Sequence, residues 1–336
     1  MKFSIIIPVF NRPDEVDELL ESLCQQTVKD FEVLIIEDGS VKPCKDVCDK
    51  YANILDLHYY AKENSGPGQS RNYGAERANG EYVIILDSDV VLPVGYLQAV
   101  EDGINQKPSP TTQHPIIAFG GPDAAHPSFT PVQKAISYSM TSFFTTGGIR
   151  GGKAKLDKFY PRSFNMGIRR DVYLQLGGFT KMRFGEDIDF SYRIVEAGYM
   201  PRLFPEAWVW HKRRTYFRKF FRQVYNSRNA RINLEKRHPG TMKLVHLLPT
   251  VFTLGVIGLL IISLFWPLAC VPIILYSAII LIDSSFKNKN IWVGMLSIPA
   301  AFVQLMGYGF GFIESWWKRC VLKKDEFTAF EKNFYK

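Results

Sequence analysis

Two acidic clusters carry the strongest chemical signal in this 336-residue chain. Asp87 and Asp89 flank Ser88 directly after the apolar run Tyr82 to Leu86. Side chains two residues apart on an extended strand point the same way, so two carboxylates emerge together. Oxygen ligands of this kind suit Mg2+ or Mn2+; their plainer use is to cap a following helix. The second cluster is Gly185-Glu186-Asp187-Ile188-Asp189, ahead of a predicted helix from Phe190 to Ala197. In it, Asp189 reads as an acid favoured at a helix N-terminus. A further carboxylate, Asp38, closes the run Phe31 to Ile36 within Glu37-Asp38-Gly39-Ser40. Arg71 follows the turn Gly66-Pro67-Gly68 at a helix start, a good place for a diphosphate-like anion.

The elements that must position these groups are legible in the apolar pattern. Phe3-Ser4-Ile5-Ile6-Ile7-Pro8-Val9-Phe10 reads as a buried strand, and Val16, Leu19, Leu20 and Leu23 recur at helical spacing. Pro13 sits where a first helical turn tolerates it. Strands follow at Phe31 to Ile36, near Leu57 to Tyr60, and at Tyr82 to Leu86, with a helix around Arg71 to Ala78. Near-continuous Ile, Val and Leu suit strands buried on both faces. This alternation predicts an α/β fold with a mostly parallel sheet. Ligands of such sheets bind outside the carboxyl ends of the strands, which is where Phe10, Asp38 and Asp87 through Asp89 fall. Residues 107–162 show little periodicity and many Gly, Pro, Ser and Thr, and are expected to form loops around a site.

Charge and hydropathy divide the rest. The net charge is +8, and twelve Lys or Arg against two acids lie between Arg202 and Lys243. Tyr216, Phe217, Phe220, Phe221, Val224 and Tyr225 form an aromatic stripe beside Arg218, Lys219, Arg222, Arg228 and Arg231. That pattern fits a helix lying in a membrane interface over about residues 215–235, or one packed on its own domain. Beside an apolar tail, such basic charge points to anionic headgroups and not to nucleic acid, for which no motif is present. The tail offers three spans, Leu247 to Trp266, Leu268 to Ile282 and Ile291 to Ile313. Three crossings would put Lys318, Arg319, Lys323 and Lys324 outside, against the positive-inside rule; a re-entrant third segment would keep them inside. Five cysteines, an odd set, read as free thiols of a reducing compartment.

In order and spacing, Ser4 to Asn11, Glu37-Asp38-Gly39-Ser40, Gly66-Pro67-Gly68-Gln69-Ser70-Arg71-Asn72, Asp87-Ser88-Asp89 and Gly185-Glu186-Asp187 resemble the glycosyltransferase 2 family, with its GT-A nucleotide-sugar fold. Gly307-Tyr308-Gly309-Phe310-Gly311 and the apolar tail resemble the membrane-bound exopolysaccharide subgroup, of succinoglycan type. The resemblance implies a catalytic domain over residues 1–230, two to three transmembrane helices over 244–315 and a short basic tail, 316–336. It implies a multi-pass inner-membrane protein with a cytoplasmic catalytic domain. Its substrates would be a nucleoside-diphosphate sugar, by family habit a UDP-sugar, and a lipid-linked or saccharide acceptor. It assigns Asp89 to the metal, Asp87 to the ribose or metal shell, and His211 to completing that shell. It places Pro8, Phe10, Asn11, Asp38, Arg71 and Asn165 around the donor, and gives Asp187 the role of general base with Glu186 as its neighbour. One base without a protein nucleophile implies inversion. Two rivals are a processive synthase and an inactive nucleotide-sugar-binding membrane protein. The Gln-x-x-Arg-Trp of the former is absent: Gln223 to Arg228 comes closest and lacks the Trp. A nucleotidyltransferase would need a basic N-terminal loop that the chain lacks.

Overall fold

The computed structural model describes residues 1–106, 115–147, 159–212 and 215–324. Parts of the expected loop stretch (107–114 and 148–158) and most of the expected basic tail (325–336) lie outside the described residues. In chain order the strands are β1 (Phe3–Val9), β2 (Phe31–Asp38), β3 (Leu57–Lys62), β4 (Tyr82–Leu86), β5 (Val90–Val91), β6 (Ala118–Gly120), β7 (Asp123–Ala124), β8 (Asn165–Arg169), β9 (Arg202–Leu203) and β10 (Val209–His211). The helices are α1 (Pro13–Cys24), α2 (Lys45–Tyr51), α3 (Pro67–Arg77), α4 (Tyr96–Ile104), α5 (Pro131–Thr141), α6 (Phe143–Thr146), α7 (Arg170–Gln175), α8 (Glu186–Glu196), α9 (Phe217–Arg237), α10 (Leu248–Ser263), α11 (Val271–Asn288) and α12 (Ile291–Trp316). They form two compact units. One holds the described residues of 1–124 and 159–212, the other those of 125–147 and 215–324.

The first unit is built on a seven-stranded sheet of order β3-β2-β1-β4-β8-β6-β9. β1 to β4 run parallel, with Phe3 opposite both Phe31 and Tyr82. β8 enters antiparallel between β4 and β6. Strand alternation sorts the apolar residues into two cores. Phe3, Ile5, Ile7, Val33, Ile35, Ile84 and Leu86 face one, with Val16, Leu19, Leu20 and Leu23 of α1 and Leu97 and Val100 of α4. Ile6, Leu34, Ile36, Val83 and Ile85 face the other, with Ala75 of α3 and Phe190 and Ile194 of α8. Glycine sets one approach: a Cβ on Gly74 would lie 2.6 Å from Cγ2 of Ile6, so α3 can sit this close to β1 only with no side chain there. Sheet order delivers the carboxyl ends of β2, β1 and β4 side by side, and hence Asp38, Phe10 and Asp87.

A second, three-stranded sheet of order β5-β10-β7 lies just past that edge. It pairs His211 with Val90, and the N–H of Lys212 donates to the carbonyl of Asp89 at 3.0 Å. This small sheet carries a histidine from position 211 to the triplet at 87–89.

The second unit is helical. In α5, a Thr130–Gln133 capping box starts a helix where loops were expected. Its Ile136 and Met140 pack with Phe220 and Val224 of α9. The aromatic stripe of α9 is thereby split: Phe220 is buried, while Tyr216 and Phe221 stay exposed beside Arg218, Lys219 and Arg222. Among the described residues, two helices are long and apolar enough to cross a membrane by length and composition, Pro267–Asn288 with 22 residues and Ile291–Val321 with 31. At about 1.5 Å per residue both exceed a hydrocarbon core of about 30 Å. The remaining apolar helix, α10, has 16 residues, shorter than the expected span to Trp266 because Pro267 opens a separate turn that leads into α11. Ser284 and Ser297 hydroxyls bond at 2.7 Å between α11 and α12. Gly309 admits α10, since a Cβ there would meet Oγ1 of Thr253 at 2.2 Å.

Candidate functional site

The site is assembled at the carboxyl edge of the first unit's sheet from β1, β2, β4 and the start of α8. Two residues past β1 comes Asn11, whose backbone is left-handed (φ 56°). Its side-chain carbonyl accepts the N–H groups of Val41 and Lys42 at 2.8 and 2.9 Å, and its own N–H donates to the Ser40 hydroxyl at 2.7 Å. Asn11 thus fixes the loop after β2. Phe10 stands half-buried at the mouth, and Pro8 is buried within β1 opposite Ile36.

Asp38 is 1% exposed. It accepts from the Lys62 ammonium and from the N–H groups of Ser65 and Gly66, both at 2.9 Å. The carboxylate holds the turn Gly66-Pro67-Gly68 that opens α3, and that turn launches Arg71. Arg71 is buried at 3% exposure. Its guanidinium donates to Asp87 at 2.8 Å and to Glu186 at 3.0 Å and lies over the Phe179 ring at 5.1 Å. Burial works against this charge, but Asp87 and Glu186 hold its pKa above the ordinary value. The arginine expected to face a diphosphate is therefore engaged in tying the two acidic clusters together.

Asp87, Asp89 and His211 bring one ligand atom each to within 4.8 Å of one another. His211 Nε2 lies 3.3 Å from Asp89 and its Nδ1 3.7 Å from Asp123, with Phe164 stacked on the ring at a centroid distance of 5.0 Å. Two carboxylates and an imidazole fit a divalent ion of the Mn2+ class, which takes oxygen ligands and tolerates nitrogen. A competing cation is built in: Arg12 donates to Asp89 Oδ2 at 2.6 Å.

The second cluster sits at the N-terminus of α8, after Gly185 in a left-handed conformation (φ 86°). Asp187 accepts its neighbour Ile188's N–H at 2.9 Å on one oxygen and Arg162 Nε at 2.7 Å on the other. Burial pushes its pKa up, but Arg162 and Arg71 overcome this and hold it below the ordinary value. Burial raises Glu186 against the pull of Arg71, and the Asp187 charge adds to the rise. Adjacent carboxyls are driven apart, the pattern that separates an ionised acceptor from a protonatable neighbour. Asp189 instead accepts from Thr180 at 2.9 Å and Arg193 at 3.1 Å. Asn165, expected along the sugar, is 1% exposed, with its amide taken by Tyr96 at 2.7 Å and the Ala207 carbonyl at 2.8 Å. It anchors β8 instead of lining the opening. Sequence reasoning missed Arg12, Asp123 and Arg162. Only Arg12 carried a signal, its place one residue beyond Asn11 at a strand end.

The chain matches the family described as "Glycosyl transferase family 2" over residues 4–176, just over half its length. It is 39% identical over 93 residues to the poly(ribitol-phosphate) beta-N-acetylglucosaminyltransferase TarS of Staphylococcus aureus, covering 26% of this chain and 16% of TarS. It is 28% identical over 204 residues to an uncharacterized glycosyltransferase of Haemophilus influenzae, covering 57% of this chain and 62% of that protein. The chain spans less than two thirds of the length of either relative. Among solved structures, a mannosyltransferase of Pyrobaculum calidifontis in complex with GDP-Man and Mn2+ superimposes with a TM-score of 0.63 at 16% identity, covering 95% of this chain and 88% of that one. At that identity the likeness concerns the fold.

Two measurements test the charge arrangement. Arg12→Gln removes the cation already neutralising Asp89. Mn2+ binding without nucleotide, followed by loss of the free-ion magnetic resonance signal, should tighten by about tenfold or more, the worth of one charge-assisted hydrogen bond. Unchanged or weaker binding would show that Arg12 does not compete. Arg162→Gln removes a cation that lowers Asp187. If Asp187 accepts the proton in turnover, the acidic limb of the pH–rate profile should lie below the usual carboxylate value of about 3.9 with Arg162 present and move upward by roughly 1 to 3 units without it. A limb that stays in place would detach Arg162 from the titrating group.

Proposed function

We propose that this chain, which belongs to glycosyl transferase family 2, transfers a sugar from a nucleoside-diphosphate donor to an acceptor hydroxyl with inversion, at a membrane surface. The observation that carries the reading is that one buried arginine, Arg71, hydrogen-bonds both Asp87 of a metal-type cluster (Asp87, Asp89, His211) and Glu186, the residue next to the carboxylate Asp187, which Arg162 holds below its ordinary pKa.

A divalent cation, Mn2+ or Mg2+, would be held by Asp89, Asp87 and His211 and would neutralise the departing diphosphate. This chain's own residues do the remainder. Phe10, Pro8 and Asp38 form the wall proposed for the base and ribose, with Asp38 held in place by the Ser65 and Gly66 N–H groups. Asp187 accepts the acceptor's hydroxyl proton as the oxygen attacks the anomeric carbon and the bond to the diphosphate breaks. An oxygen that already receives Arg162 has a second lone pair for that proton. Arg71 keeps Asp87 and Glu186 at fixed positions, so leaving-group and nucleophile sides keep their spacing. A fixed spacing of this kind is what converts bound substrates into reactive ones. UDP-sugars are favoured by the family resemblance, and a lipid-linked or saccharide acceptor is favoured by the apolar tail. The second unit, with its two apolar helices and the exposed Arg218, Lys219 and Arg222 of α9, supports a multi-pass inner-membrane protein whose catalytic unit faces the cytoplasm. A processive synthase is disfavoured by the missing Trp after Arg228.

Asp187→Asn keeps the shape but cannot accept the proton. Donor binding should persist while turnover falls by about a hundredfold or more. A loss confined to donor affinity would recast Asp187 as a binding residue, and a product retaining the donor's anomeric configuration would exclude direct displacement. For the membrane, the full chain in lipid nanodiscs should be more active with anionic than with zwitterionic lipid. That difference should shrink with salt and in the Arg218→Glu, Lys219→Glu, Arg222→Glu variant, since headgroup attraction is about 1 kcal/mol per basic residue and is screened. Equal activity in both lipids would remove the electrostatic role.

A further inference from the structure

The opposite end of the same sheet holds a second set of metal-ligating groups that the transfer reaction does not use. Glu32 begins its role one residue into β2, Asp56 immediately precedes β3, and His58 is its second residue. Backbone pairing brings them together: Val33 faces Leu57, and the N–H of Val33 donates to the Asp56 carbonyl at 2.8 Å. Asp38 lies six residues further along β2, so this cluster is about 20 Å from the donor end at roughly 3.3 Å per strand residue.

Three side chains converge here where a single ion pair would need two. One ring nitrogen, His58 Nε2, faces Asp56 Oδ1 at 3.1 Å and Glu32 Oε2 at 3.5 Å. A single N–H cannot point along both directions. A cation about 2.0 to 2.2 Å from each ligand puts tetrahedral neighbours roughly 3.3 to 3.6 Å apart; the 3.5 Å spacing falls in that range and the 3.1 Å spacing would open slightly to admit the ion. All three ligand atoms fall within 4.8 Å of one another.

The support behind the ligands is also of the kind such sites require. Glu32 is 1% exposed. Its Oε1 accepts the Ser4 hydroxyl and the Asn79 N–H, both at 2.6 Å, and its Oε2 accepts the Asn79 amide at 3.0 Å. These bonds fix the carboxylate's orientation with one lone pair left towards His58. They also outweigh burial, which alone would raise its pKa, and hold Glu32 below the ordinary value. The ring of His58 stacks on Tyr60 at a centroid distance of 6.5 Å, and His58 and Asp56 are 41% and 50% exposed, open to an entering ion.

We propose that Glu32, Asp56 and His58 form a second metal site, for a borderline divalent cation of the Zn2+ class, that clasps β2 to β3 at the amino end of the sheet. Imidazole with two carboxylates suits Zn2+ better than Mg2+; the donor set matches that of Asp87, Asp89 and His211, so a test must separate the two clusters.

The test uses the full chain carrying Asp87→Asn, Asp89→Asn and His211→Gln, which silences the donor-end cluster. Equilibrium dialysis against Zn2+ alone should retain one equivalent and raise the thermal unfolding midpoint. Adding His58→Gln or Asp56→Asn, both at exposed positions that tolerate the change, should weaken retention by about tenfold or more and remove the midpoint shift. Ser4→Ala, which touches no ion, should weaken it less, as loss of a supporting hydrogen bond does. No retained Zn2+, or retention indifferent to His58→Gln, would leave only a histidine between two carboxylates and would overturn the proposal. Neither outcome bears on the transferase reading, because the cluster's residues take no part in it.

Discussion

A buried guanidinium with two carboxylates on it is the constraint around which the catalytic unit is arranged. Arg71 cannot sit at 3% exposure without compensation, because an isolated buried charge loses several kcal/mol of hydration. Asp87 and Glu186 supply that compensation from opposite sides. They also come from distant places, the end of β4 and the start of α8. Neutralising one arginine therefore fixes the separation of the two acidic clusters. Removing Asp87 or Glu186 would leave the cation half-compensated, so structure and site cannot be varied independently.

Neighbouring contacts serve the same constraint. Asn72, next to Arg71 on α3, donates to the Phe179 carbonyl at 2.8 Å and accepts the Phe179 N–H at 2.8 Å. Gln69 donates to that carbonyl as well, at 3.2 Å. One helix therefore grips the backbone just before α8 while its arginine holds the first residue of α8. Arg193 closes the far side by donating to the carbonyls of Leu176 and Gly178 and to Asp189. Asp38 acts earlier in the chain of causes, since it sets the turn from which α3 departs.

Much of this was legible in the residues. Buried runs such as Phe3 to Val9, Phe31 to Ile36 and Tyr82 to Leu86 announce parallel strands, and the ends of the latter two locate Asp38, Asp87 and Asp89. The Gly-Pro-Gly turn announces the helix carrying Arg71. What local pattern cannot supply is pairing across long separations. His211 reaches Asp89 only because three short strands, each of two or three residues, form a sheet; strands so short have no periodicity to read. Arg162 meets Asp187 across 25 residues, and Arg12 meets Asp89 across 77. For Asn165 the family resemblance pointed to a place along the sugar, whereas Tyr96 and the Ala207 carbonyl take its amide. In the second unit, α5 was hidden among Ser and Thr residues, although its Ile136 and Met140 are set at helical spacing.

The distribution of cations has a consequence for how a donor enters. Each carboxylate at the opening is already paired: Asp38 with Lys62, Asp89 with Arg12, Asp187 with Arg162, and Asp87 and Glu186 with Arg71. The protein alone thus presents a nearly neutral, internally compensated edge. On the proposed reading, an anionic diphosphate accompanied by a divalent cation would add charges of both signs and exchange partners with these pairs without leaving any group unpaired. The more exposed pairs are the ones suited to exchange. Arg12 and Arg162 have side chains 30% and 40% exposed, against 3% for Arg71. On that reading, exchange falls to the two outer arginines, while the inner one holds the two acidic clusters at one separation.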